Sequence, residues 1–156
     1  MKIYKIFIRA IIFLFLLFNQ SISFSQCRNY IPANCNNNLF PFIHDGINNS
    51  KVLNSGQKFE VFKVFYKKQD YRIVICSDNN LPPLEFELLD MERNILFSNK
   101  EYNLSQLWDF SLDDSMQLII SVKVPDIKNT EQYNKTGCVA LIVGFMDTEK
   151  YFTKYY

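Results

Sequence analysis

Alternating apolar and polar residues run through much of the chain after residue 57. Residues 84–90 read LEFELLD, so three apolar side chains share one face while Glu85 and Glu87 lie on the other. Residues 116–124 read MQLIISVKV and alternate in the same way around one additional isoleucine. A period of two residues is typical of a half-buried β-strand. Both segments are therefore predicted to be strands that cover a core with one face.

Other segments are apolar on both faces. Residues 57–66, QKFEVFKVFY, are rich in valine and phenylalanine and are interpreted as an inner strand of a sandwich. The tetrapeptide MERN is predicted to turn the chain so that ILFSN pairs with LEFELLD as a hairpin. The remaining predicted strands are YRIVICS (71–77), LWDFS (107–111) and CVALIVGFM (138–146).

This pattern predicts an all-β protein. Seven or eight short strands, with no convincing helix after residue 50, are typical of an antiparallel β-sandwich, here of jelly-roll-like type. The predicted organisation has four parts: a signal peptide over 1–25, an irregular N-terminal segment over 26–39, the β-sandwich over 40–147 and an aromatic C-terminal tail over 148–156.

The first 25 residues have the pattern of a secretory leader. Three basic residues precede nine consecutive apolar ones, and the small residues Ser23 and Ser25 predict cleavage before Gln26. The apolar run is too short to span a bilayer of about 30 Å comfortably. We therefore expect a secreted or periplasmic protein. A retained membrane anchor and a lipoprotein attached through Cys27 are the alternatives.

Cleavage changes the charge of the chain. The leader holds three of the 17 basic residues and none of the 16 acidic ones, so the mature chain carries a net charge of −2. Without a basic footprint we expect no nucleic-acid partner. No later apolar segment approaches 18 residues, so we expect no membrane span after cleavage, and we expect a monomer. The 16% of aromatic residues is interpreted mainly as core packing.

Four cysteines in an exported chain indicate disulfide bonds, because oxidising compartments permit them. Four cysteines allow three pairings. Cys27 and Cys35 lie close together in the N-terminal segment, whereas Cys76 and Cys138 each lie at an end of a predicted core strand. We therefore expect Cys27–Cys35 and Cys76–Cys138, with unpaired buried thiols as the alternative.

The strand motifs also carry a resemblance. The motifs YRIVIC, WDF and GCV, with an acidic turn after LLD, resemble a family of secreted Bacteroidota β-sandwich proteins that has no known activity. The resemblance covers roughly Phe40 to Phe145. More loosely, the order of the strands resembles the bacterial pre-peptidase C-terminal domain, a jelly-roll module of secreted proteases. The chain departs from that domain in its four glycines and its additional cysteine pair.

No motif of a known catalytic, cofactor or metal site is present. The sequence lacks G-x-S-x-G, H-E-x-x-H, a phosphate loop and metal-ligand spacing, so no catalytic, cofactor-binding or metal-binding residue is expected. His44 and Asp45 are neighbours that would point to opposite faces of a strand, so His44 is interpreted as a solvent-exposed or turn histidine. Asp113 and Asp114 do not form a calcium loop.

Two functions remain open. The first is a non-catalytic binding or accessory module whose partner is a protein or glycan of the cell envelope. Trp108, the only tryptophan, would bind at the surface together with Tyr102 if it is exposed, and would be core if it packs inward with Phe110. The alternative is a small secreted hydrolase, for example directed at glycans, that uses carboxylates. Its candidate acids are Asp45, Glu85, Glu87 and Asp109.

Overall fold

The computed structural model describes residues 27, 30–31, 33–128, 133 and 135–147. Within these residues there are one α-helix, α1 (Ala33–Asn37), a 3-10 helix (Asn99–Tyr102) and nine strands. The strands are β1 (Ile43–His44), β2 (Asn49–Asn54), β3 (Lys58–Phe65), β4 (Gln69–Ser77), β5 (Glu85–Leu89), β6 (Ile95–Ser98), β7 (Leu107–Ser111), β8 (Met116–Lys123) and β9 (Thr136–Asp147). The predicted leader and aromatic tail lie outside the described residues.

The strands form two antiparallel sheets. In the five-stranded sheet β1 and β2 both pair with β9, which is followed by β4 and β7. The four-stranded sheet has the order β3-β8-β5-β6. The predicted antiparallel sandwich and the β5–β6 hairpin are confirmed. The sequence did not predict β1 and β2, because the first has two residues and the second is mostly polar. The jelly-roll-like connectivity stays a prediction.

The core lies between the two sheets and follows the predicted alternation. β5 contributes Phe86 and Leu88, while its two glutamates lie on the outer face. Each fully buried large side chain contributes about 1.5–3 kcal/mol relative to an exposed one. The inner faces of β4, β8 and β9 contribute Tyr71, Ile73, Ile75, Leu118, Ile120, Val122, Val139, Leu141 and Val143.

The interpretation of residues 57–66 as an inner strand is wrong. β3 is the edge strand of the four-stranded sheet, and its hydrogen-bonded neighbour is β8. Its inner face packs against the core, but Phe62 and Val64 on its outer face are 53% and 45% exposed. The apolar residues on the outer face of β3 are therefore exposed at the surface, and β3 is not buried on both faces.

The outer face of the five-stranded sheet carries a third layer. We call the described residues from Cys27 to Phe42 the covering segment. Leu39 and Cys35 of this segment form a second buried cluster with Val74 of β4 and Ile142 of β9. Gly144 of β9 permits the close approach, because a Cβ there would lie 2.7 Å from Cβ of Phe42 and 2.8 Å from Cδ2 of Leu39.

The predicted disulfide pairing is wrong, although all four cysteines are bonded. The bridges are Cys27–Cys138 and Cys35–Cys76, with Cα–Cα distances of 5.5 and 6.0 Å. Cys76 lies opposite Ala140 and is thus only a diagonal neighbour of Cys138. Diagonal neighbours are about 7–8 Å apart, beyond the usual span of a disulfide. Each strand cysteine instead bonds a cysteine of the covering segment.

Within the described residues no helix is both long and apolar enough to cross a membrane.

Candidate functional site

The outer face of the five-stranded sheet is closed by the covering segment. Arg72 of β4 donates from Nη1 to the carbonyl oxygens of Asn38 and Phe40, at 3.0 and 2.8 Å, and its guanidinium lies 4.5 Å from the ring centre of Phe42. Arg72 also makes a bidentate ion pair with Asp109, at 2.7 and 2.6 Å. This bond to Asp109 raises the pKa of Arg72 above its ordinary value. Arg72 therefore fixes the segment to the sheet.

A cavity of about 590 Å³ lies between the covering segment and the β4–β7 side of this sheet. Asp78 is the carboxylate among its described lining residues. It accepts a hydrogen bond from the backbone N–H of Cys138 at 2.6 Å. Burial, followed by a hydrogen bond to Asp78, raises the pKa of Tyr30 to about 12. Asp78 thus joins Tyr30 of the covering segment to the first residues of β9. Its hydrogen bonds therefore stabilise the fold.

The four candidate acids of a hydrolase lie at three separate places. Asp45 follows β1 and pairs with Lys63 at 2.6 Å. Glu85 and Glu87 share Lys100 on the outer face of the four-stranded sheet, at 3.0 and 4.0 Å. Asp109 lies on the opposite outer face, where it pairs with Arg72. These three places are separate. Of the four candidate acids, only Glu85 and Glu87 lie close enough together to act on one substrate bond.

His44 does not form a dyad with Asp45. Its Nδ1 accepts a hydrogen bond from the N–H of Gly46 at 2.9 Å, while Asp45 accepts one from the N–H of Ile47. The expectation of a solvent-exposed or turn histidine is wrong, because His44 is half-buried in β1 and its Nε2 is shielded from solvent. The short β1 strand, which the sequence did not reveal, accounts for this burial.

Trp108 and Tyr102 lie together, and the tryptophan is only partly accessible. Phe97 stacks on Trp108 with 3.8 Å between ring centres, and Tyr102 lies 4.8 Å from it. Trp108 packs against the core from β7, on the same side of the strand as Phe110. Tyr102 is half exposed and covers this cluster. A role of Trp108 and Tyr102 in surface binding stays a prediction.

An apolar row crosses the outer face of the four-stranded sheet. Phe62 lies opposite Ile119, Ile119 opposite Leu89, and Leu89 opposite Ile95. We call these four residues the apolar stripe. Its ends are exposed, at 53% for Phe62 and 58% for Ile95, whereas Ile119 and Leu89 are buried between them. Ile119 and Leu89 do not belong to the core cluster between the sheets.

Charged residues occupy the other half of this face. In the next row Glu60 lies opposite Ser121, which lies opposite Glu87. Arg93, from the β5–β6 turn, reaches across the sheet to bind both oxygens of Glu60, at 3.0 and 2.9 Å. The bond from Arg93 and then that from Lys58 lower the pKa of Glu60 to about 2. The stripe is therefore bordered by a fixed charged network.

Replacing Arg93 with alanine should raise the pKa of Glu60 from about 2 towards its ordinary value of 4.5. Because the folded-state pKa is lowered, this carboxylate stabilises the fold above about pH 4.5, and the stabilisation is lost as the pH falls through about 2. NMR titration of Glu60 in both proteins measures the change. Lys67→Ala, which removes an exposed pair with Asp114, is the control and should leave the pKa unchanged. An unchanged pKa in Arg93→Ala would contradict the network.

The sequence missed the site because the order of strands across a sheet is not local information. The apolar faces of residues 57–66 were noticed but were assigned to burial. A usable signal was available, since the face of β3 that carries Phe62 and Val64 also carries the charged residues Lys58 and Glu60. Arg72 and Arg93 carried no signal, because their partners come from distant parts of the chain.

Among the described residues no group of three or more His, Cys, Asp or Glu side chains is placed to hold a metal ion. No model of a known protein family matches the chain, and neither does any curated protein. The resemblance to a Bacteroidota family and to the pre-peptidase C-terminal domain stays a prediction.

Among solved structures the chain is similar to PliG of Aeromonas hydrophila, a periplasmic lysozyme inhibitor of g-type lysozyme. The sequence identity is 12% and the TM-score is 0.47. The alignment covers 64% of this chain and 85% of PliG. We draw no conclusion about partners from a likeness at this level.

Proposed function

We propose that the chain is an exported, non-catalytic module that binds a protein of the cell envelope on the outer face of its four-stranded sheet. The observation that carries this proposal is the apolar stripe with its charged border. Protein interfaces typically combine a central apolar patch with a polar, partly solvated rim. The accessible parts of the stripe are its ends, Phe62 and Ile95, while Ile119 and Leu89 between them are buried.

Export is supported by the predicted leader and by the two disulfides. Both bridges join the covering segment to strands of the sheet. Structural disulfides of this kind persist in oxidising compartments and are rare in the cytosol.

A protein partner fits the stripe better than a glycan does. The stripe consists of one phenylalanine and three aliphatic residues, and Val64, a further exposed apolar residue, lies two positions from Phe62 on the same strand. Sugar rings are usually bound by accessible aromatic faces combined with polar groups. The tryptophan that would serve a sugar is stacked against Phe97. The proposed partner is therefore a protein with a complementary apolar patch.

The test uses Ile95→Lys at the exposed end of the stripe and Ile47→Lys as its control. The two isoleucines are 58% and 55% exposed, but Ile47 follows β1 and lies outside the stripe. The purified exported chain is crosslinked to the solubilised envelope fraction, captured proteins are identified by mass spectrometry, and each is titrated as a purified protein. We expect Ile95→Lys to weaken binding of the true partner at least about tenfold, since burying one lysine in an interface costs more than 1.4 kcal/mol.

Each of the following results would overturn the proposal. One is a partner that binds wild type and Ile95→Lys equally. Another is a glycan, found on an array, whose binding depends on Tyr102. The third is hydrolytic activity that Glu87→Gln abolishes. Equal loss in Ile95→Lys and Ile47→Lys would place the binding site elsewhere and would also count against the stripe.

A further inference from the structure

Among the described strands, only β8 pairs with β3, so the other edge of β3 is free within this part of the chain. The N–H of Val124 donates to the carbonyl of Gln57 at 2.9 Å, so the backbone groups of odd-numbered residues of β3 point towards β8. The other neighbour of β8 agrees with this assignment. Phe86 of β5 lies opposite Val122, and its N–H points away from β8 to the side chain of Asn99, so the backbone groups of Val122 point towards Phe59 of β3. The N–H and C=O groups of Lys58, Glu60, Phe62 and Val64 therefore point away from β8, to the free edge.

This edge is long and regular. β3 pairs with β8 over eight consecutive residues, from Lys58 to Phe65, without a shift in register. At the other edge of the sheet β6 has four residues, and its pairing with β5 shifts between Leu88 and Leu89. Bulges and short strands protect sheet edges against pairing with other chains. β3 has neither of these protections.

Charges are another common protection of an edge strand, but those of β3 are bound within the chain. Glu60 accepts hydrogen bonds from Nη1 and Nη2 of Arg93 and pairs with Lys58. Lys63, on the inward-facing side of the strand, is held by Asp45 at 2.6 Å. An approaching strand thus meets apolar side chains and neutralised charges.

We propose that β3 pairs with β3 of a second copy of this chain in an antiparallel, two-fold symmetric dimer. Opposed residues of an antiparallel pair share one face, so Phe62 opposite Phe62 of the second copy keeps the two outer faces continuous. In this register Glu60 and Val64 oppose each other across the axis, and the free groups of all three residues exchange hydrogen bonds. A shift that placed Lys63 opposite Lys63 would oppose like charges and is disfavoured.

A second copy is favoured over an unrelated strand because this register joins the two apolar stripes end to end. Phe62 is the exposed end of the stripe at β3, so its meeting with Phe62 of the second copy makes one apolar row across eight strands. The same surface patch serves both protomers, which is the requirement of a closed two-fold interface. The dimer replaces the monomer expected from the sequence and does not depend on the proposed envelope partner.

The test compares the mass in solution of the wild-type exported chain with that of Phe62→Lys and Ile95→Lys. Sedimentation equilibrium over a range of concentrations gives the dissociation constant, and thermal melting followed by circular dichroism checks folding. We expect a dimer for wild type and for Ile95→Lys. Phe62→Lys brings two lysines together at the axis and should raise the dissociation constant at least about tenfold.

Each other result would overturn the dimer. A wild-type protein that stays monomeric up to millimolar concentration excludes it. A Phe62→Lys protein that is folded and still dimeric places the interface elsewhere, as does a dimer lost in Ile95→Lys. If Phe62→Lys fails to fold, Phe62→Ser, which removes the side chain without adding charge, replaces it and should also weaken the dimer. Loss of the envelope partner in Ile95→Lys, with the dimer intact, separates the two proposals.

Discussion

Replacing Cys27 and Cys138 together with serine should lower the free energy of unfolding by about 5 kcal/mol in the chain-entropy account of disulfides. This bridge joins residues 111 positions apart, whereas Cys35 and Cys76 are 41 positions apart. Removing Cys35 and Cys76 should therefore cost slightly less. Such losses are a large share of the total of about 5–15 kcal/mol that stabilises a typical domain.

Urea unfolding of the oxidised wild type and of both double-serine variants measures these effects. Because both bridges attach the covering segment and neither crosses the core between the sheets, far-ultraviolet circular dichroism should still report a folded sandwich for each variant. Peptide mapping of the non-reduced wild type is the control and should yield Cys27–Cys138 and Cys35–Cys76. A peptide that joins Cys27 to Cys35 would contradict the described arrangement.

The face that each strand turns to the core was predictable from the sequence, because a period of two residues decides it. In β5 the alternation placed Phe86 inside and Glu87 outside, as the structure has them. In β4 it separated Ile73 and Ile75 from Arg72 in the same way. Burial of one face is a local property of a strand, so local pattern suffices to find it.

Cysteine pairing and edge position were not predictable in this way. Pairing depends on where the covering segment crosses the sheet, which is set by its contacts with Val74 and Ile142. The place of β3 at an edge depends on which strands flank β8 in space. Neither fact is determined by the residues concerned alone. Nearness in sequence suggested Cys27–Cys35, and apolar character on both faces suggested a central strand.

The misassigned strand is also the one on which both proposals rest. A side chain such as Phe62 adds little to the stability of the described chain while it is half exposed. Exposed apolar rows are a solubility liability unless something covers them. A local pattern that is apolar on both faces, on a strand that proves to be an edge, therefore points to an interaction surface. In this chain the face that the covering segment packs against and the face that carries the apolar stripe belong to different sheets.

Replacing Asn99 with alanine should lower the free energy of unfolding by about 3 kcal/mol, because buried polar groups left without partners cost about 1–3 kcal/mol each. Asn99 is fully buried at the point where the chain leaves β6 for β7. Its Oδ1 accepts from the N–H of Phe86 at 2.9 Å, and its Nδ2 donates to the carbonyls of Leu84 and Ser105 at 2.9 and 3.1 Å. One side chain thus replaces the missing strand partner of β5 and anchors the crossing to the other sheet.

Asn99→Asp sharpens this prediction, because it keeps the shape of the side chain and exchanges the amide donor for an acceptor. An oxygen would then face the carbonyls of Leu84 and Ser105, so the variant should be at least as destabilised as Asn99→Ala. Asn80→Ala, at an exposed asparagine, is the control and should change stability by less than about 0.5 kcal/mol. Urea unfolding of the three variants gives the order. If Asn99→Asp proved as stable as wild type, the donor role of Nδ2 would be wrong, and the crossing from β6 to β7 would have to be held by the backbone bonds of the 3-10 helix instead.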